Sequence, residues 1–181
     1  MDAIEVLTQR VSVPSLTGPD ITEAQKNIMI QAALRAPDHA RLRPSRYLMV
    51  YGSALERLGD VFASTEEESG DDARLNRLKG MPLRAPLIIV AICKTTSHPK
   101  VPEVEQILST GAGVQNILNA AWAMGLGAIW RTGDLAYHER VRQALGVQGD
   151  EQLLGFIYVG HIGGFVKAVP DVTVGDYSQD W

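Results

Sequence analysis

From Gln106 to Trp130 the chain runs for 25 residues without a charge. That length is enough to span a bilayer as a helix. Six of those residues are polar, namely Gln106, Ser109, Thr110, Gln115, Asn116 and Asn119, and Gly125 and Gly127 break the helical run before Trp130. Neither flank carries a basic cluster to set an orientation across a membrane. The segment therefore reads as a helix buried on nearly all sides in a soluble protein or dimer, not as a membrane span. A chain with such a helix needs a sheet or a second subunit to cover it. Gly111-Ala112-Gly113 would let a neighbouring element come close, or serve as ordinary small-residue packing.

The remaining sequence supplies that sheet. With 181 residues, one domain covering 1–181 is expected. Asp2 can cap a helix over Ala3–Gln9, with Ile4, Val6 and Leu7 available for burial. Pro14 stops helix in the segment that follows. Thr22 and Gln25 have capping-box spacing and open a helix to about Arg35, on which Ala24, Ile28, Ala32 and Ile21, Met29, Ala33 fall near one face. Tyr47–Tyr51 is a buried strand, and Ala54–Phe62 a helix. Residues 66–72 form an acidic surface loop, followed by a short helix with Arg74, Arg77 and Lys79. Pro86–Cys93 is a continuous apolar run, as expected of a strand covered on both faces. Pro102 starts the long helix. Gly127–Trp130 is a third strand, Tyr137–Leu145 a helix ended by Gly146, and Leu153–Gly160 a fourth strand. Residues 166–181 have no helical period and form an extended arm. Helices and strands of this kind make an α/β or α+β sandwich with one sheet. The buried helix and the arm together suggest a homodimer.

Several chemistries are disfavoured. The net charge of −4 lacks the basic excess of a nucleic-acid binder. The single cysteine, Cys93, excludes an internal disulfide and any CxxC metal site, and it ends an apolar strand where a buried thiol is expected. His39, His98, His138 and His161 have no metal-ligand spacing with one another. There is no GxSxG and no GxxxxGK[ST], and Gly125-Leu126-Gly127 lacks the third glycine of a dinucleotide fingerprint. The N-terminus, Met1-Asp2-Ala3-Ile4-Glu5, does not read as a secretory leader, so a reducing cytoplasm is expected.

Groups suited to an anion remain. An arginine fork and a hydroxyl two residues on, Arg10 and Ser12, can face one phosphate. Arg35 and His39 lie four apart across the Pro37 turn. They can face a ligand, or engage Asp38 and the helix C-terminus instead. Arg131-Thr132-Gly133 follows a buried strand, at a sheet edge where ligand sites often lie.

Taken in order, these pieces resemble the nitroreductase family of flavoproteins, and within it a short YdjA-type branch. The opening helix with Arg10-Val11-Ser12 is similar to the family's Arg-x-Ser segment. Arg35-Ala36-Pro37-Asp38-His39 is similar to the branch's RAPDH segment, and Arg84-Ala85-Pro86-Leu87-Ile88-Ile89 to the run into its strand. Gly125-Leu126-Gly127-Ala128-Ile129-Trp130-Arg131-Thr132-Gly133 is similar to GxGxIWRSG, and Gly155–Gly160 to the closing strand. The resemblance implies an α+β sandwich with one mixed, mostly antiparallel sheet flanked by helices, an obligate homodimer, and FMN bound at the dimer interface. It implies that Arg10, Val11 and Ser12 hold the ribityl phosphate. Arg35 and His39 would reach the flavin from the partner subunit, Arg131, Thr132 and Gly133 would lie along it, and Ala121-Trp122-Ala123-Met124-Gly125-Leu126 would contact nicotinamide. It implies an NAD(P)H oxidoreductase acting on a nitroaromatic, quinone or enone, with no catalytic side chain and no metal, because the cofactor carries the chemistry.

The sequence departs from the family at three places. Pro14 stands where many members carry a basic residue near the flavin, Val11 where the branch often has a second arginine, and Pro44-Ser45 where the family has Pro-Trp. A positive charge near N1 stabilises the reduced flavin, so these changes bear on turnover. The alternative they raise is a flavin-binding homodimer with little turnover, acting as a carrier or sensor.

Overall fold

The structure, a computed structural model, describes residues 2–69 and 71–181. Gly70, within the acidic segment, lies outside the described residues. The chain order is α1 (Ala3–Gln9), β1 (Leu16–Thr17), α2 (Glu23–Ala33), β2 (Ser45–Tyr51), α3 (Ser53–Ala63), α4 (Asp72–Gly80), β3 (Leu87–Lys94), α5 (Glu103–Ala123), β4 (Gly127–Arg131), α6 (Asp134–Tyr137), α7 (Glu139–Ala144) and β5 (Glu151–Ile162). Short 3-10 turns occupy His39–Arg41, Ser64–Ser69, Pro82–Arg84 and Val174–Asp176.

β3 lies between β2 and β5 and is antiparallel to both. β4 pairs with the other edge of β5 along Phe156–Gly160, and β1 continues that edge at His161 and Ile162. Every pairing is antiparallel among the described residues. The apolar run of β3 follows from its position, since Leu87 to Cys93 are each 0 % exposed. Alternation then divides the strand between two cores. Ile88, Val90 and Ile92 pack with Leu55, Leu58 and Phe62 of α3 on one face, where the Phe62 and Phe156 rings meet edge to face at 5.2 Å. Leu87, Ile89 and Ala91 pack with Met29 of α2 and with Val114, Ile117 and Ala121 of α5 on the other.

The helix starts follow the local chemistry. Asp2 accepts from the Glu5 N–H at 2.8 Å. Thr22 and Gln25 form the reciprocal capping box at 3.2 and 3.0 Å. On α2 the buried residues are Lys26, Met29 and Ala33, with Ile21 buried just before it. Ile28 and Ala24 face outward, so the expected common face is narrower than the spacing suggests. The acidic segment is more ordered than a loop where it is described: Glu66 pairs with Arg74, and Asp71 caps α4 by accepting from the Arg74 N–H at 3.0 Å.

Two expectations need correction. The helix expected over Tyr137–Leu145 is two short helices, because His138 is extended and caps α7, its Nδ1 accepting from the Arg140 N–H at 3.2 Å. β5 exceeds Leu153–Gly160 at both ends and also supports β1, which the sequence did not announce. The long helix is not buried all round in one chain. Gln106, Thr110, Val114, Ile117 and Ala121 face the sheet and α2, while Val104 and Leu108 are exposed and Gln115 bonds Asn119 on the outside. Gly113 is needed for packing, since a Cβ there would sit 2.4 Å from the Tyr47 hydroxyl, whereas Gly111 faces open space. No helix among the described residues is long and apolar enough to cross a membrane.

One ion pair clamps the far end of the sheet. Arg46 of β2 donates to both Glu151 carboxylate oxygens, at 2.8 and 2.6 Å, and the Gln148 N–H adds a third bond at 3.0 Å. These bonds hold the Glu151 carboxyl down at about 2, from an ordinary value of 4.5. A depressed carboxylate stabilises the fold above its unfolded value, and that stability is lost as pH falls toward the folded value. Replacing Glu151→Gln should cost about 2 kcal/mol at neutral pH, a figure trimmed for the partial exposure of Arg46. The variant should also lose stability less steeply than the parent between pH 5 and 2. Urea denaturation across that range measures both, and parallel curves for the two proteins would refute the assignment.

Candidate functional site

The segment after α1 is pinned to β4. Pro14 and the extended Arg10 backbone end the helix. The Val13 N–H then donates to the Ala128 carbonyl at 3.0 Å. Gly127 permits this approach, because a Cβ there would come within 2.7 Å of Leu16 and 3.0 Å of Val13. Arg10 is half-buried, Val11 also, and Ser12 is exposed. Arg10 makes no ion pair among the described residues, and its Nη1 is buried without a hydrogen-bond partner. Burial alone lowers the pKa of its guanidinium. A guanidinium nitrogen left in this state is costly unless an anion meets it.

Arg131 ends β4 in a similar condition. Its guanidinium carbon lies 5.6 Å from the centroid of the buried Tyr158 ring, and its Nε is buried with no partner. The strand end is held by Trp130, whose indole N–H donates to the Leu154 carbonyl at 2.9 Å. Gly155 makes room: its φ is +130°, and a Cβ would lie 2.5 Å from the Arg131 carbonyl oxygen. Burial pushes the Tyr158 hydroxyl up and Arg131 pulls it partly back. Thr132 and Gly133 then line a cavity of about 320 Å³, with Arg74, Arg77 and His138 on its other walls. The sequence reading gave Arg74 and Arg77 no role. Their signal was a pair of arginines three apart, on one face of a helix.

Arg35 and His39 stand elsewhere. His39 Nδ1 lies 2.7 Å from Glu105 in the first turn of α5. Arg35 lines a cavity of about 770 Å³ with Arg41, Arg43, Ser45 and Ser109. Asp38, the alternative partner for both, is spent on the backbone, accepting from the Leu42 and Arg43 N–H groups at 3.0 and 2.8 Å. Ala121–Leu126 lie at the opposite end of α5. There the Gly125 N–H bonds the Trp122 carbonyl and the Leu126 N–H that of Ala121, a glycine-terminated helix end. Leu126 and Ala121 are core, Ala123 and Gly125 are exposed, Met124 is half-buried, and Trp122 Nε1 is buried without a partner. A helix of 21 residues is roughly 31 Å long. Within one chain, His39 and the 121–126 turn are thus separated by most of that length.

Among the described residues no cluster of His, Cys, Asp or Glu could hold a metal ion. Cys93 is buried, its thiol pushed up by burial.

An antiparallel sheet between two helical layers, with unmet arginines beside one edge strand, defines an α+β fold and narrows the choice of family. Residues 7–161 match the sequence profile of the Nitroreductase family, and the chain belongs to that family. It is 37 % identical over 161 residues, 88 % of each chain, to YdjA of Escherichia coli (strain K12), named as a candidate NAD(P)H nitroreductase. The fold is similar to that of a nitroreductase-like family protein from Bacillus cereus, with a TM-score of 0.88 at 21 % identity, covering 100 % of this chain and 96 % of that one. It is also similar to a variant of NfnB from sphigopyxis sp. strain HMH, described as an FMN and NADPH-dependent nitroreductase, with a TM-score of 0.77 at 19 % identity over 100 % of this chain and 99 % of the other.

Proposed function

We propose that the protein is an FMN-dependent NAD(P)H oxidoreductase and that residues 1–181 act as one domain within a homodimer. The observation that carries this reading is the pair of buried guanidinium nitrogens, on Arg10 and Arg131, that have no partner among the described residues. An anionic, planar cofactor meets both needs: a phosphate for Arg10 and Ser12, and a polar ring edge for Arg131, Thr132 and Gly133. The separation of Arg35 and His39 from the 121–126 turn fits a site shared between subunits, with Arg35 and His39 of the partner subunit closing over the flavin. The exposed apolar side chains of α1 and α5 supply surface for that interface.

Bound FMN would accept a hydride from the nicotinamide and pass two electrons to a nitroaromatic, quinone or enone acceptor. The chain's own groups orient the reactants. Arg10 and Ser12 fix the phosphate, Arg131 is steadied against Tyr158, and Ala121–Leu126 offer an apolar turn for nicotinamide. No side chain has to move a proton to the cofactor. The relatives' names support NAD(P)H as donor, and a reducing cytoplasm is the compartment this reading requires. Pro14, which brings no charge to the segment beside Ser12, favours a second reading: a flavin-binding homodimer that carries or senses rather than turns over.

One titration separates these. The purified protein should be yellow or bind added FMN, and NADPH or NADH should bleach it without oxygen. Flavin binding without bleaching by either nucleotide selects the carrier. A protein that binds no FMN at tens of micromolar overturns both.

A further inference from the structure

A cavity beside Arg35 carries further arginines to which the proposed flavin site gives no role. It is lined by Arg35, Arg41 and Arg43 together with Ser45 and Ser109, and its volume is about 770 Å³. None of the three arginines has an ion pair or a side-chain hydrogen bond among the described residues. The single carboxylate in the lining, Asp38, accepts from the Leu42 and Arg43 N–H groups and pairs with none of the three arginines. The cavity therefore presents three guanidinium groups and two serine hydroxyls against one carboxylate, a net positive lining.

The backbone that presents these side chains is strained. Ala40, Arg41 and Arg43 have φ of 60°, 56° and 53°, the left-handed region that residues with a side chain seldom occupy. Such conformations cost free energy and persist only where the surroundings impose them. Here Asp38 imposes them from one side. On the other, the Pro44 carbonyl accepts from the Lys94 N–H at 2.7 Å and anchors the loop to the sheet. Left-handed turns at Arg41 and Arg43 bring both side chains to the same cavity as Arg35, which projects from just beyond the end of α2. Guanidinium forks grouped with serine hydroxyls suit a compact dianion with several acceptor oxygens better than a single carboxylate.

We propose that Arg41 and Arg43, with Ser45 and Ser109, form a phosphate-monoester subsite that recognises the terminal phosphate of a molecule reacting at the flavin. The location beside the flavin rests on the function proposed above, through Arg35. The anion subsite itself rests on the cavity. Two molecules could bring that chemistry: the reduced pyridine nucleotide, through a 2′-phosphate that NADH lacks, or a phosphorylated acceptor. In either case the subsite sets selectivity, and the hydride chemistry is unchanged.

The test is direct binding to the FMN-loaded protein by calorimetry, with 2′-AMP, adenosine, phenyl phosphate and phenol as probes. Arg41→Asn and Arg43→Asn, singly and together, remove charge while keeping a residue that tolerates the left-handed backbone. The expected result is that 2′-AMP binds about tenfold or more tightly than adenosine, and that the double variant loses this margin. If phenyl phosphate outbinds phenol with the same arginine dependence while the two adenosine probes bind alike, the subsite stands and its phosphate comes from the acceptor. Equal binding within both probe pairs, or margins unaltered in the double variant, would overturn the subsite. FMN absorbance of the variants reports folding and flavin binding separately. Should the parent bind 2′-AMP preferentially but no FMN, the flavin reading fails and the subsite survives.

Discussion

Replacing Arg10→Ala should weaken FMN binding by roughly thirtyfold or more and leave riboflavin binding nearly unchanged. Arg10 is half-buried, carries a guanidinium nitrogen with no partner, and is tethered close to β4 through the Val13–Ala128 bond. A phosphate there receives charge-assisted bonds from a fork already desolvated. Removing one partner of such a pair typically costs ~2–5 kcal/mol, at about 1.4 kcal/mol per tenfold. Riboflavin has the same ring without the phosphate and so reports any general damage to the site. Fluorescence quenching titrations of both flavins give the two constants. Equal losses would show that Arg10 supports the fold instead, and no loss for either would make it a surface residue. The same pair of ligands tests Arg131 differently: as a residue along the ring, its replacement should weaken FMN and riboflavin together.

The elements with strong local chemistry were legible in the sequence, and those that depend on long-range pairing were not. Asp2, the Thr22–Gln25 box and Pro102 mark helix starts through their own side chains or ring, and α1, α2 and α5 begin where they say. The unbroken apolar run of β3 announced a strand buried on both faces because only a central position supplies two cores. The two-residue β1 has no pattern of its own; it exists because β5 extends past β4 and leaves an edge open. The break at His138 was equally silent, since an extended residue that caps the next turn looks like any polar helix residue. At the site, Arg10-x-Ser12 and Arg131-Thr132-Gly133 stood out as anion-binding chemistry, but the sequence could not say that Arg35 and His39 lie at the far end of α5. That placement follows from α2 packing against α5, where Asn116 donates to the Ala32 carbonyl at 3.0 Å and the helix end delivers Arg35 near Ser109. The charge of the 770 Å³ cavity was hidden for a related reason. Arg41 and Arg43 carry no motif of their own, and it is the Asp38 bonds to the Leu42 and Arg43 N–H groups that turn the loop at these positions.

Deleting residues 166–181 should shift the dimer toward monomer by at least a hundredfold in dissociation constant and weaken FMN binding with it. The last backbone bond joining the C-terminal arm to the rest of its own chain is Gly163 N–H to the Ser15 carbonyl at 3.0 Å; the later bonds lie within residues 173–178. The arm is nonetheless rich in side chains that avoid water: Tyr177 is 81 % exposed and Trp181 fully so, and Phe165 just before it is 85 % exposed. Burying a large apolar side chain is worth about 1.5–3 kcal/mol, and a symmetric pair of arms counts each one twice. Ile4 and Leu7 of α1 and Leu108 of α5 add apolar surface beside the same elements that hold Arg10 and Arg35. An interface covering these groups would exceed the ~2,000 Å² at which obligate pairs begin. Light scattering of the full chain at micromolar concentration should therefore give twice the chain mass, and the truncated chain a mass that falls on dilution. A monomeric full chain would refute the dimer and the shared site together. A truncated chain that stays dimeric but loses FMN would place the arm on the cofactor and not on the partner.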